Sequence, residues 1–249
     1  MNDIELAVHL AEGAGRLLLD LRDSGSFSGK ELGRQGDARA NAWLMAELAT
    51  HRPDDGVLSE ETKDTPARLS KSRVWIIDPV DGTREYGEGR ADWAVHIGLT
   101  TDGIASLGAV GLPAEDLILR SDPPASLPAA ADPPRMVVSR TRPAAEALHV
   151  AEALGAALIP MGSAGAKAMA VVRGTADIYL HSGGQYEWDN AAPVAVAAAA
   201  GLHCSRIDGR ALRYNREDVS LPDLLICRKE AADTILRTIA DMPASGPAT

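Results

Sequence analysis

Apolar positions near the start of the chain recur at helical spacing: Ile4, Ala7, Val8, Ala11, Ala14, Leu18 and Leu21 predict one amphipathic helix capped by Asn2 or Asp3. The segment from Ser24 to Gly36 holds four glycines and reads as a loop. A second helix is expected to open at Asp37, with Ala40, Leu44, Met45 and Leu48 on its inner side. After a turn cluster from His51 to Gly56 the period changes. Val57-Leu58 is a short apolar stub, and Val74-Trp75-Ile76-Ile77 is a β-branched and aromatic run, the mark of a strand buried on both faces. Pro79 lacks an N–H and is expected to stop that strand. Trp93, Val95, Ile97 and Leu99 alternate with smaller or polar residues, giving a strand with one face in the core. Asp102-Gly103 marks a hairpin to a return strand from Ile104 to Val110, and Leu117-Ile118-Leu119 adds another short strand.

Between Ser121 and Pro134 five of fourteen residues are proline and no periodicity survives. Beyond it strands and helices alternate. Strands are expected at Met136–Val138, Ala157–Ile159, Asp177–Leu180 and Leu224–Cys227. Helices are expected at Pro143–Leu154, Gly165–Val172, Asp189–Ala200 and Glu230–Ile239, before a Pro/Ala/Ser/Gly tail. Residues 1–125 therefore read as an α+β half with antiparallel hairpins, and residues 126–249 as a smaller α/β half.

The 249 residues, 45% of them hydrophobic, are enough for one large domain or two tightly joined ones. A net charge of −10 argues against nucleic-acid or anionic-membrane binding. No window approaches the roughly 18 consecutive apolar residues of a membrane span. The N-terminus carries Asp3 and Glu5 in place of a signal-peptide core, so the expected compartment is the cytoplasm. Cys204 and Cys227 form no C-x-x-C pair and read as small buried apolar residues.

The central strand ends on Asp78, and Asp81 follows before the turn residues Gly82-Thr83. Two carboxylates held close on a rigid strand end repel unless a cation sits between them. Oxygen-only ligands point to a hard ion such as Mg²⁺. Taken singly, each aspartate could do no more than cap a turn or a helix. Glu60 and Glu61 follow a strand stub, however, and Asp37 and Asp189 stand where helices are expected to begin. Together Asp37, Glu60, Asp78, Asp81 and Asp189 could supply oxygens for two or three Mg²⁺ ions. Two such ions about 3.5–4 Å apart activate a water and hold a phosphate for in-line displacement.

Leu58-Ser59-Glu60-Glu61, the run from Trp75 to Thr83, and Trp188-Asp189-Asn190-Ala191-Ala192 resemble the three signatures of the inositol monophosphatase superfamily, lithium-sensitive, Mg²⁺-dependent sugar and nucleotide phosphatases. The resemblance implies a layered αβαβα sandwich. It implies that Glu60, Asp78 and the Val80 carbonyl hold one metal, and Asp78, Asp81 and Asp189 a second. Asp37 would reach a third, weaker ion, and Thr83 would share a proton with the attacking water together with Glu60 or Asp37. The N–H groups of Gly82 and Thr83 would receive phosphate oxygens.

For the substrate, Val138-Ser139-Arg140, Gly162 to Lys167, and Glu187-Trp188-Asp189 are similar to stretches of the 3′(2′),5′-bisphosphate nucleotidases, the CysQ-type branch. That similarity implies Ser139 and Arg140 on the phosphate that is not cleaved, Ser163 and Glu187 near sugar and base, and Lys167 near the nucleotide. The expected reaction is hydrolysis of 3′-phosphoadenosine 5′-phosphate to AMP. The alternatives are an inositol or fructose bisphosphate phosphatase with the same metals, or a catalytically weak binding regulator on the same fold. Relatives of this kind are often dimers. No histidine is assigned to the mechanism: His96 reads as a core group or one supporting the metal ligands, and His181 ends a strand near the site.

Overall fold

The computed structural model describes residues 1–242; the low-complexity tail read from the sequence lies outside them. Helix α1 (Asp3–Asp23) opens on a capping box. Asn2 Oδ1 accepts from the Glu5 N–H and the Glu5 carboxylate accepts from the Asn2 N–H, both at 2.9 Å. Its predicted stripe is the buried one, including Leu6, Leu10, Ala14, Leu18 and Leu21. Helix α2 (Gly29–His51) starts well before Asp37, which lies inside the helix and not at its cap. Of the four glycines in the expected loop, Gly25 lies in a loop that ends at Ser28, while Gly33 and Gly36 are contact points between α2 and α3 (Thr83–Gly87). A Cβ at Gly33 would stand 2.6 Å from Thr83 Cγ2, and one at Gly36 2.7 Å from Tyr86 Cε1. The lost helix propensity, about 1 kcal/mol per glycine, is accepted where a side chain does not fit.

The first sheet holds β1 (Gly56–Ser59), β2 (Arg73–Asp81), β3 (Ala94–Thr101), β4 (Ile104–Leu112) and β5 (Leu117–Arg120), in that spatial order. β1 and β2 are parallel and the other pairs antiparallel. Pro79 does not stop β2. The register with β3 shifts between Asp78 and Asp81, and the proline sits within that bulge, where no ladder donor is required. The second sheet, ordered β7-β6-β8-β10-β9, comprises β6 (Arg135–Ser139), β7 (Ala157–Met161), β8 (Ile178–Ser182), β9 (His203–Ser205) and β10 (Asp223–Cys227). β9 escaped the sequence reading because His203-Cys204-Ser205 has no apolar run; its strand form comes from pairing with β10.

α1 and α2 cover one face of the first sheet, while α5 (Ala164–Val172) and α6 (Glu187–Ala199) lie between the two sheets. α4 (Ala145–Leu154) and α7 (Lys229–Ala240) cover the outer face of the second sheet, completing the expected αβαβα layers. The middle core joins Ile76, Ala94 and Val110 to Val137, Met169 and Val196, drawing on both sides of the proline-rich segment. No described helix is long and apolar enough to cross a membrane.

The seat of α6 decides where Asp189 stands. Gly98 and Gly108 are register partners across β3 and β4. A Cβ at Gly98 would come within 2.9 Å of Ala192 N, and one at Gly108 within 2.6 Å of Ala192 O. The helix backbone therefore lies directly on the sheet backbone, a contact that side-chain repacking cannot restore. Gly108→Ala is expected to destabilise the protein by about 1–3 kcal/mol, read as a lower urea midpoint; an unchanged midpoint would show that the seat is not this tight.

Candidate active site

The bulged end of β2 fixes the first two carboxylates. Asp78 and Asp81 are 2% and 5% exposed, and Asp78 Oδ1 accepts from the Val80 N–H at 3.0 Å. Gly82 turns the chain into α3 with φ 88°, a left-handed conformation that favours glycine. Thr83 Oγ lies 3.3 Å from Asp37 Oδ1 and 3.1 Å from the Val80 carbonyl. Its single hydroxyl proton serves one of these acceptors at a time.

The first turn of α6 brings in Asp189, whose Oδ2 accepts from the Tyr186 N–H at 2.7 Å. One oxygen each from Asp78, Asp81 and Asp189 fall within 4.8 Å of one another. Glu60 stands on the exposed loop after β1 with its carboxyl turned in against that of Asp78. Asp37 is half-buried on α2 and faces Glu61 and Thr83. The structure thus gathers all five predicted acidic residues, from three helices or strands and one loop.

Their electrostatics are those of an uncompensated cluster. Burial, then the charges of Glu60, Asp81 and Asp189, push Asp78 well above the usual carboxylate range. Burial and neighbouring carboxylates raise Glu60, Asp37 and Asp189 to about 7. Asp81 is the exception. Burial alone would raise it, but the charge on His96 and the Gly165 N–H outweigh that and hold it low. Asp81 Oδ1 accepts from Ala164 N–H at 3.1 Å and Oδ2 from Gly165 N–H at 2.6 Å, both at the start of α5. Among the described residues, no lysine or arginine forms an ion pair with any of the five carboxylates. An all-oxygen donor set with excess negative charge fits a hard divalent cation such as Mg²⁺.

Beside these carboxylates opens a cleft of about 660 Å³, lined by Asp81, Asp189, Ser139, Arg142, Lys167 and His181 among others. Ser163 also lines it, but its Oγ caps α5 by accepting from the Ala166 N–H at 2.9 Å. The Lys167 ammonium donates to the Gly162 carbonyl and, at 2.7 Å, to that of Ser163, so it staples the turn. Two expected contacts stand elsewhere. Arg140 donates to Glu85 Oε1 at 2.8 Å and Glu88 Oε2 at 2.7 Å, whereas its neighbour Arg142 lines the cleft. Glu187 is fully buried, and its oxygens accept from the N–H groups of Asn215 and Arg216 at 2.7 and 2.9 Å. It anchors that segment and does not border the cleft. The donors on Asp81 were absent from the sequence reading, because backbone N–H groups leave no residue-type signal.

Residues 3–122 and 129–243 match the Inositol monophosphatase family. The chain belongs to that family. It is 50% identical over 239 residues to a 3′-phosphoadenosine 5′-phosphate phosphatase of Mycobacterium bovis, covering 92% of this chain and 90% of that protein. It is 32% identical over 192 residues to the 3′(2′),5′-bisphosphate nucleotidase CysQ of Escherichia coli, covering 72% and 77%. The structure of CysQ from Bacteroides thetaiotaomicron superposes with a TM-score of 0.78 at 26% identity, over 91% of this chain and 97% of that one.

The raised carboxyls make metal-free stability fall as pH rises. A carboxyl near 7 when folded and about 4 when unfolded binds more protons in the folded state between those values, so stability declines across that window. A divalent cation held by these oxygens would bind the ionised form and reverse the loss. The melting temperature is therefore expected to rise more on adding MgCl₂ at pH 8 than at pH 5.5, measured by thermal shift; an equal rise at both pH values contradicts this assignment.

Proposed function

We propose that this chain is a Mg²⁺-dependent phosphomonoesterase that converts 3′-phosphoadenosine 5′-phosphate and water to AMP and inorganic phosphate. The convergence of Asp78, Asp81 and Asp189, the last two lining a cleft of nucleotide size, carries the reading. The names of the relatives at 32–50% identity supply the substrate. Glu60, Asp78 and the Val80 carbonyl would hold one ion and Asp78, Asp81 and Asp189 another, with Asp37 and Glu60 beside a weaker third. Bound Mg²⁺ would supply positive charge to the phosphoryl oxygens and acidify the attacking water.

The chain's own groups position that water and take its proton. Thr83 Oγ sits between Asp37 and the Val80 carbonyl, so it can accept from a water while donating to Asp37. Asp37, in reach of the Thr83 hydroxyl, would take that proton as the base. The Gly82 and Thr83 N–H groups at the start of α3 would take phosphate oxygens. As water adds to phosphorus, the bond from phosphorus to the 3′-oxygen breaks and that oxygen leaves with a proton. The uncleaved 5′-phosphate meets the rim at Ser139 and Arg142, since Arg140 is occupied by Glu85 and Glu88.

Phosphate release from the bisphosphate is expected to require Mg²⁺ and to exceed release from inositol 1-phosphate in kcat/KM. A faster inositol reaction would overturn the substrate, and Mg²⁺-independent or absent release the phosphatase reading. Asp189→Ala is expected to lower kcat by more than about 100-fold, since changes beyond the ligands themselves already cost about 10–100-fold. Arg142→Ala is expected to raise KM for the bisphosphate about tenfold, the loss of one charge-assisted pair, and to leave inositol 1-phosphate unaffected; a larger effect from Arg140→Ala would return the spare phosphate to Arg140.

A further inference from the structure

His96 is fully buried where β3 meets the first turns of α5 and α6. Val95, Ile97 and Leu99 point to the α1–α2 side of the sheet, while Ala94 belongs to the middle core and Gly98 lies under α6. On the α6 side, then, His96 is the one large side chain between two small residues. Its Nδ1 is 3.0 Å from the Trp188 carbonyl, the residue before Asp189. Its Nε2 is 3.1 Å from Asp81 Oδ2, within ion-pair distance, though not aligned for a hydrogen bond. A Cβ at Gly165 would run into that nitrogen, so α5 is cut away to admit the ring.

An imidazole at zero exposure is costly as mere filling, because each ring nitrogen must find a partner. Here Nδ1 meets the backbone carbonyl that precedes Asp189 on α6, and Nε2 meets the Asp81 carboxylate on β2 at ion-pair distance. We propose that His96 is a positioning residue for the metal site, a strut that sets the separation between Asp81 and Asp189. Helix α6 rests on the sheet through Gly98 and Gly108, a seat that fixes how closely Ala192 approaches the sheet backbone. The His96 ring ties the N-terminal end of that helix, at Trp188, to Asp81 at the end of β2. Removing it leaves all carboxylates present but lets Asp189 drift from Asp81, which weakens cation binding without altering the substrate rim.

The inference rests on the reading of Asp81 and Asp189 as metal ligands. It is tested by titrating Mg²⁺ with no phosphate ester present, following heat or melting temperature, in wild type, His96→Leu and His96→Gln. His96→Leu is expected to weaken Mg²⁺ binding about 10–100-fold, the range for groups that orient ligands. His96→Gln, whose amide keeps one of the two contacts, is expected to recover part of it. In turnover, the Mg²⁺ concentration for half-maximal rate should rise in parallel, with KM for the ester unchanged and kcat restored at saturating Mg²⁺. If His96→Leu does not fold, the Gln variant decides: Mg²⁺ binding equal to wild type overturns the proposal. So does a folded Leu variant with unchanged Mg²⁺ binding, or a kcat that stays low at saturating Mg²⁺. A wild type with no Mg²⁺ response overturns the metal reading and His96 with it, whichever ester the enzyme hydrolyses.

Discussion

Mutual repulsion among carboxylates brought together out of water is the constraint to which the middle of this molecule answers. Asp78, Asp81 and Asp189 offer oxygens within 4.8 Å of one another, and Asp78 and Asp81 are almost wholly buried. Such a group survives folding only if protons, cations or aligned dipoles offset the charge. The protein uses the last of these directly. α5 gives two N–H groups to Asp81, the first turn of α6 gives one to Asp189, and α3 begins beside Thr83. Three helix starts thus turn their positive ends toward one point, where an anion and its metal ions are also favoured.

Such convergence demands close approach of backbones, and glycine supplies it. Gly33 and Gly36 let α2 meet α3, Gly98 and Gly108 let α6 lie on the first sheet, and Gly165 admits the His96 ring. The contacts are steric and have little freedom to relax, which suits a site whose ligand oxygens must hold their spacing. The substrate side is built differently. Its rim carries Ser139 and the exposed Arg142, while Arg140 is held apart by Glu85 and Glu88.

Where the fold departs from the sequence pattern the cause is shared. The loop expected over Ser24–Gly36 ends at Ser28, and the value of Gly33 and Gly36 inside α2 is absence of bulk against Thr83 and Tyr86, partners some fifty residues away. Pro79 was read as a stop, and a bulge accommodates it. Arg140 and Glu187, expected at the substrate from the resemblance, have their charges met by Glu85 and Glu88 and by the backbone of Asn215 and Arg216. In each case the deciding neighbour is distant in the chain.

From the linear chain alone came the alternation of elements and the five candidate acidic residues, because periodicity and an Asp-Pro-Val-Asp-Gly-Thr turn are local properties; the layer order followed from the resemblance that these motifs carry. Which carboxyls are raised and which is held low, which arginine faces the cleft, and why a histidine sits beside Asp81 and Trp188 were decided only by folding. Charge state, pairing and clearance depend on distances of a few ångströms between segments far apart in sequence, and those distances exist only in the folded protein.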